Sequence, residues 1–127
     1  MQTNINIDLP ADFVALCQYS NEKPEAIIQS FANQMSFPKF FTTQERNERF
    51  ATYFFIKHIQ SPEFTGEVNE SLEEHYFPLL QAAIKESYEK YPGDRKKAMK
   101  AAQGIMTLWA EAAIKERRRK RSDDMLD

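Results

Sequence analysis

The chain has 127 residues, of which 42% are hydrophobic and 28% charged, and its net charge is −2. This length fits one domain, or a small domain with an extension. The single cysteine, Cys17, excludes an internal disulfide, and three glycines with six prolines argue against a turn-rich β fold. We therefore expect helices joined by short connections.

The sequence carries no sign of export or membrane insertion. The N-terminus has no basic flank followed by an apolar run, and no stretch of about 18 apolar residues occurs. We therefore expect a cytoplasmic protein that has no signal peptide and does not enter a membrane.

The chain opens on a segment in which polar and apolar residues alternate. A side-chain period of two predicts a β-strand. A lone strand has one apolar face and two open edges, so we expect it to pair with the same strand of a second copy in a homodimer. The apolar side chains are Ile5, Ile7 and Leu9, and the polar ones are Asn4, Asn6 and Asp8.

Two prolines indicate helix starts in the first third of the chain. Pro10 suits the first turn of an amphipathic helix of about ten residues that begins at Ala11. Pro24 suits the first position of a second helix, after a turn at residues 20–23. Pro38 is expected to end this second helix, because the residue before a proline disfavours helical backbone.

Three or four further helices are predicted downstream. Thr42 and Glu45 have the spacing of a capping box, which would open a helix that ends near Ile59. The next helix keeps its apolar spacing across Pro78, so this proline either kinks one helix or separates two. Asp94 is a candidate cap for the last helix.

The last helix ends in a run of basic residues. Residues 94–121 hold ten basic and three acidic residues, whereas residues 122–127 hold three aspartates and are expected to be frayed. The run predicts a surface for nucleic acid or another acidic partner. The alternative is a solvated helix end that matches the helix dipole. The candidate residues are Arg117, Arg118, Arg119, Lys120 and Arg121.

Few residues indicate catalysis or metal binding. His58 and His75 are the only histidines, and they lie on different predicted helices, which is typical of structural or exposed residues. Three scattered glycines cannot form a glycine-rich phosphate loop. We therefore expect no enzyme activity, no cofactor and no metal.

Cys17 is expected in the core. The aromatic residues after position 49 are typical of a core or a dimer interface.

The first 35 residues resemble the ribbon-helix-helix family of DNA-binding proteins. The resemblance covers Thr3 to about Met35 and consists of the alternating segment, a proline-led helix, a short turn and a second helix. In that family two chains pair their strands antiparallel above four interlocked helices, and the paired ribbon enters the DNA major groove. The matching apolar helix positions are Val14, Leu16, Cys17, Ile27, Ile28 and Phe31.

The resemblance implies a set of DNA contacts. The outward side chains of the ribbon, Asn4, Asn6 and Asp8, would read bases. An asparagine amide can bond adenine N6 and N7 together, and a carboxylate can accept from cytosine N4. Lys23, at the start of the second helix, would contact a phosphate.

Together these patterns predict a mainly α-helical homodimer with one N-terminal β-strand. Residues 1–38 would form a ribbon-helix-helix-like unit for dimerisation and DNA binding, and residues 39–127 a helical bundle ending in a basic helix. The predicted function is a transcriptional regulator or accessory factor that reads duplex DNA with its ribbon. The alternative is a non-enzymatic helical protein that dimerises through its strand and binds a protein partner.

Overall fold

The structure, a computed structural model, describes residues 1–126, apart from the side chain of Leu126. The last aspartate of the C-terminal tail, Asp127, lies outside the described residues. The chain divides into two compact units, Met1–Asn33 and Gln34–Asp127. The helices of the described residues are α1 (Ala11–Ser20), α2 (Pro24–Gln34), α3 (Phe37–Phe41), α4 (Arg46–Ile59), α5 (Glu70–Lys90) and α6 (Arg95–Leu126).

The predicted N-terminal strand, and its pairing across a homodimer, are wrong. Residues 1–10 form neither strand nor helix, and the described part of the chain is all-α. A strand is held by hydrogen bonds to a neighbouring backbone, and no other described segment is a strand that could supply them. Ile5 and Ile7 are 69% and 57% exposed, so their alternation corresponds to no buried sheet face.

The first unit contains α1 and all but the last residue of α2, and both helices begin where the prolines predict. Pro10 is the N-cap residue of α1, and its carbonyl accepts a hydrogen bond from the N–H of Val14. Pro24 is the first residue of α2. Asn21 ends α1 in the left-handed conformation (φ 53°), which asparagine tolerates. Cys17 is buried, as predicted.

The aromatic segment after α2 forms the short helix α3. Ser36 is its N-cap, and the Ser36 hydroxyl accepts a hydrogen bond from the N–H of Lys39 at 3.1 Å. Pro38 lies in the first turn of α3, where the missing N–H costs nothing. Pro38 therefore helps to start a helix, whereas α2 has already ended at Gln34.

The start of α4 differs from the capping box expected at Thr42 and Glu45. Glu45 is itself the N-cap residue, and its side chain makes no capping hydrogen bond. The Thr42 hydroxyl donates instead to the carbonyl of Pro38 at 2.7 Å, which completes the end of α3. The predicted end of α4 at Ile59 is confirmed.

The two long helices α5 and α6 are each continuous. Pro78 lies inside α5, so it does not separate two helices. Asp94 caps α6 as predicted, because its carboxylate accepts from the N–H of Lys97 at 3.2 Å. α6 has 32 residues and continues to Leu126, so the fraying expected for residues 122–126 is not present.

The core of the second unit lies where α5 packs on α6. Leu80 and Ile84 of α5 contact Ala98 and Ala102 of α6. Leu80 and both alanines are completely buried. The small alanine side chains allow the two helix axes to approach closely. α5 and α6 therefore form a closely packed helical hairpin.

A polar network joins the start of α6 to α4 and to the loop before it. Arg95 pairs with Glu48 at 3.2 Å, and its Nε donates to the Thr42 hydroxyl at 3.1 Å. The Tyr88 hydroxyl donates to the Thr42 carbonyl at 3.1 Å, and the Thr43 hydroxyl donates to Glu48 at 2.7 Å. The hydrogen bonds from Thr43 and Arg95 lower the pKa of Glu48.

We expect Glu48→Gln to destabilise the protein near neutral pH and to be nearly neutral in acid. The folded state lowers the pKa of Glu48 below its ordinary value of 4.5. The stabilisation is therefore fully present above that value and is lost as the pH falls through the folded pKa. Urea unfolding of both proteins at about pH 7, 5 and 3 measures the difference. The control is Glu89→Gln on the exposed side of α5. A cost of Glu48→Gln that stays constant over this range would contradict the prediction.

Candidate functional site

The four candidate residues near the N-terminus are exposed. Asn4, Asn6 and Asp8 lie in the segment before α1, which forms neither helix nor strand. Lys23 directly precedes α2, and its carbonyl accepts hydrogen bonds from the first turn of that helix. No ribbon in the described residues presents the two asparagines and Asp8 on one face. Their role in reading bases stays a prediction from the resemblance.

The five basic candidates near the C-terminus lie together on exposed turns of α6. Two of them are held by acidic side chains. Arg119 pairs with Glu116 at 2.6 Å and with Asp123 at 2.7 Å, and Lys120 pairs with Glu67 at 3.4 Å. Hydrogen bonds from Arg119 lower the pKa of Glu116, and Glu116 in turn raises the pKa of Arg119. This side of the helix is therefore largely neutralised.

Two other arginines of the run, Arg118 and Arg121, make no ion pair with the described residues. Helix geometry turns α6 by about 100° per residue, which places both arginines on the side away from Ala98 and Ala102. Those two alanines are buried against α5, so Arg118 and Arg121 face solvent.

Two lysines earlier in α6 lie on the same side as these arginines. Lys96 and Lys100 are exposed and are also unpaired among the described residues. We call Lys96, Lys100, Arg118 and Arg121 the basic face. It is 25 residues from end to end, which corresponds to about 38 Å along the helix. Glu111 is an acidic residue at its border.

The remaining candidate, Arg117, lies at a different place. It lines a large groove of about 910 Å³ in the second unit. The walls come from α3, α4, α5, α6 and the loop before α5, and they are mostly apolar and aromatic. Glu67 and Glu73 also line the groove. The main apolar side chains are Phe37, Phe41, Phe55, Phe77, Met106 and Trp109.

Aromatic contacts shape this groove. Phe37 lies 6.1 Å from Trp109 and 6.2 Å from Phe55 between ring centroids, and Tyr76 stacks parallel to Trp109 at 6.4 Å. Phe41 contacts Phe77 edge to face at 5.2 Å. The rings of α3 thus connect α4 with the α5–α6 hairpin on one side of the groove.

The sequence did not indicate the groove, and the aromatic residues of α4 are not the closed core that one alternative predicted. Phe50, Tyr53 and Phe54 are 69%, 48% and 55% exposed, and Phe55 is 38% exposed. One sequence feature could have indicated these exposed rings. α4 is apolar around much of its circumference, whereas a helix that packs on one side only needs a single apolar stripe.

Comparison with known proteins does not assign the chain to a family. No family model, no curated protein and no solved structure matches the chain. The described residues contain no group of three or more side chains that could hold a metal ion. No described helix has both the length and the apolar character needed to cross a bilayer.

Proposed function

We propose that this protein binds duplex DNA through the basic face of α6. The observation that carries the proposal is the separation of charge on this helix. One side pairs its cations with Glu67, Glu116 and Asp123, whereas the solvent side leaves Arg118 and Arg121 without ion partners among the described residues. Exposed, unpaired guanidinium groups are available to phosphates, and arginine matches their geometry.

The dimensions of the basic face fit a contact with the DNA backbone. Its length of about 38 Å is close to one turn of duplex DNA, roughly 34 Å. Binding would neutralise phosphates and release counterions, so affinity would come from the backbone and would fall with salt. A regulator or accessory factor of this kind acts by binding, without chemistry, in the predicted cytoplasmic location.

The first unit, taken by itself, carries the residues that we propose for sequence preference. Asn4, Asn6 and Asp8 are exposed polar side chains next to α1, and Lys23 is an exposed cation at the start of α2. The amide and carboxylate groups can read base edges, whereas backbone contacts on α6 carry no sequence information. Replacing both asparagines by alanine would then relax preference without a large loss of affinity.

We expect neutralising Arg118 and Arg121 together to weaken DNA binding about tenfold or more at roughly 100 mM salt. Fluorescence anisotropy on a random duplex of about 30 base pairs, over a salt series, measures this. The slope of log affinity against log salt should flatten by about 1.8, because two phosphate contacts are lost.

The matched control for Arg118→Gln with Arg121→Gln is Lys85→Gln with Lys90→Gln. Both pairs remove two exposed positive charges, but the lysines lie on α5. The control should bind nearly as tightly as the wild-type protein. No binding of the wild-type protein at about 50 mM salt, or equal losses in the two variants, would overturn the proposal.

A second candidate function is a non-enzymatic module for protein interactions. The groove of about 910 Å³ favours it, because its apolar lining is open to a partner. The two candidate functions use different surfaces: DNA binding uses the basic face, and protein binding uses the groove. An interaction module would keep its partner when Arg118 and Arg121 are neutralised, and it would show no salt-dependent affinity for DNA.

A further inference from the structure

α4 packs on one side only within its own chain. Tyr53 contacts Phe40 of α3 edge to face at 5.0 Å, and Arg49 lies 3.9 Å above the ring of Phe40. At its first turn, Glu48 is tied to Arg95 of α6. Farther along, the C-terminal half of α4 and the middle of α6 line the groove together. α4 therefore forms one wall of an open apolar space.

Both remaining faces of α4 are apolar. The inner face, which lines the groove, carries Phe55, Ile56 and Ile59. Helical geometry places Phe50 and Phe54 on the opposite face, and neither residue lines the groove. Phe54 stacks on His58 at 6.3 Å within the chain. Phe50 and Phe54 are nevertheless 69% and 55% exposed, so the outer face presents apolar surface to a partner.

The groove has the size of a short piece of helix. Two turns of an α-helix about 10 Å across fill roughly 850 Å³. The groove has a volume of about 910 Å³. The stretch of α4 from Phe50 to Lys57 is two turns long. Lys57 lies on the outer face with the two phenylalanines, and the acidic side chains of Glu67 and Glu73 line the groove.

We propose that the groove is filled by α4 of a second copy of this chain, in a symmetric dimer. Two-fold symmetry would give the order α6, partner α4, α4, partner α6. The inner faces of the two α4 helices would meet, and each outer face would pack on the α6 wall of the other copy. Such an isologous contact closes on itself. It involves neither residues 1–10 nor DNA.

This arrangement accounts for the exposed apolar surface on both faces of α4. A peptide or a lipid in the groove would cover Phe55 and Ile56 but would leave Phe50 and Phe54 in water. A second copy covers all four residues at once, because each chain supplies both the groove and the helix. Lys57 of each copy would approach the acidic Glu73 of the other, so the charges are complementary.

The area of the contact is sufficient for a stable dimer. Complete burial of an aromatic side chain removes about 150–250 Å² from water. The exposed fractions of Phe50, Phe54 and Phe55 together correspond to about 1.6 full aromatic side chains per copy, roughly 320 Å². With two copies, and with the walls that these rings cover, the buried area is on the order of 1,300 Å². Specific interfaces bury about 1,200–2,000 Å².

The first test is the oligomeric state of the full chain in sedimentation velocity. We expect a dimer for the wild-type protein, and we expect Phe50→Glu with Phe54→Glu to raise the dimer Kd about a hundredfold or more, since aromatic anchors dominate interfaces. Both side chains are exposed in the single chain, so helix content in circular dichroism should not change. The control is Leu79→Glu with Leu108→Glu, two exposed leucines outside the groove, which should leave the dimer intact.

A second test identifies the occupant of the groove directly. In a Cys17→Ser background, one tagged chain carries Phe54→Cys and a differently tagged chain carries Thr107→Cys, on the α6 wall of the groove. Oxidation of the mixture should give a disulfide that joins the two tags. A wild-type monomer at about 100 µM would overturn the proposal. So would equal dimerisation of the Phe50/Phe54 variant, or the absence of the mixed disulfide.

Discussion

Leu80→Ala is expected to lower the free energy of unfolding of the second unit by about 2–5 kcal/mol. Leu80 is completely buried between α5 and α6, where it contacts two alanines, Ala98 and Ala102. Alanine side chains are too short to move into the space that the leucine leaves. The variant therefore loses the burial of the side chain and also keeps a cavity in the centre of the hairpin. This cost is a large fraction of the 5–15 kcal/mol that typically stabilises a domain.

Denaturant unfolding followed by tryptophan fluorescence measures this change, because Trp109 is the only tryptophan and lies in the second unit. Protein concentration must be the same in every experiment, since a dimer gains stability with concentration. Leu79→Ala is the matched control, because Leu79 is the adjacent residue and is 43% exposed. Leu79→Ala should lower the free energy of unfolding by less than half as much as Leu80→Ala. Equal costs at the two positions would show that the α5–α6 contact is not the core of the unit.

The second large effect is expected from Thr52→Val, at about 1–3 kcal/mol. The Thr52 hydroxyl accepts a hydrogen bond from the Ser36 N–H at 2.9 Å and lies 3.2 Å from the carbonyls of Gln34 and Ser36. Thr52 is 1% exposed, so water cannot replace these contacts. Valine has the same shape but no hydroxyl, which would leave the N–H of Ser36 without its partner.

The same substitution at an exposed threonine separates the lost hydrogen bonds from the change of residue type. Thr65 is exposed in the loop before α5, and it does not line the groove. Water is available to its hydroxyl, so Thr65→Val should change the free energy of unfolding by less than about 0.5 kcal/mol. If Thr52→Val is equally mild, the hydroxyl of Thr52 does not hold the connection between α2 and α3 to α4.

These two positions illustrate which parts of the fold were accessible from the sequence. Leu80 lies in a periodic apolar pattern that predicted a helix with a buried side, although the adjacent Leu79 belongs to the same pattern and is 43% exposed. Thr52 is a polar residue within an aromatic segment, and no local pattern shows that its hydroxyl serves backbone groups 16 and 18 residues away. The partner of a buried polar group is decided by tertiary structure, because the groups it satisfies come from another segment.

The features of the candidate site were also only partly predictable from the sequence. The basic run at residues 117–121 was evident as composition, but its division into a neutralised side and an unpaired side depends on where Glu67 lies, 53 residues from Lys120. The groove was not predictable at all, because it is the space left between α4 and α6. An apolar residue has the same sequence signal whether it fills a core or lines an opening.

Several helix starts were predictable from local residues alone. Pro24 and Asp94 start helices as expected, and the burial of Cys17 follows from its place on the apolar side of α1. A helix closes its hydrogen bonds within one segment, so local residues suffice to specify it. Tertiary structure decided the rest. The alternation at residues 4–9 forms no strand in the described chain, since a strand depends on a neighbouring backbone that a period of two does not supply.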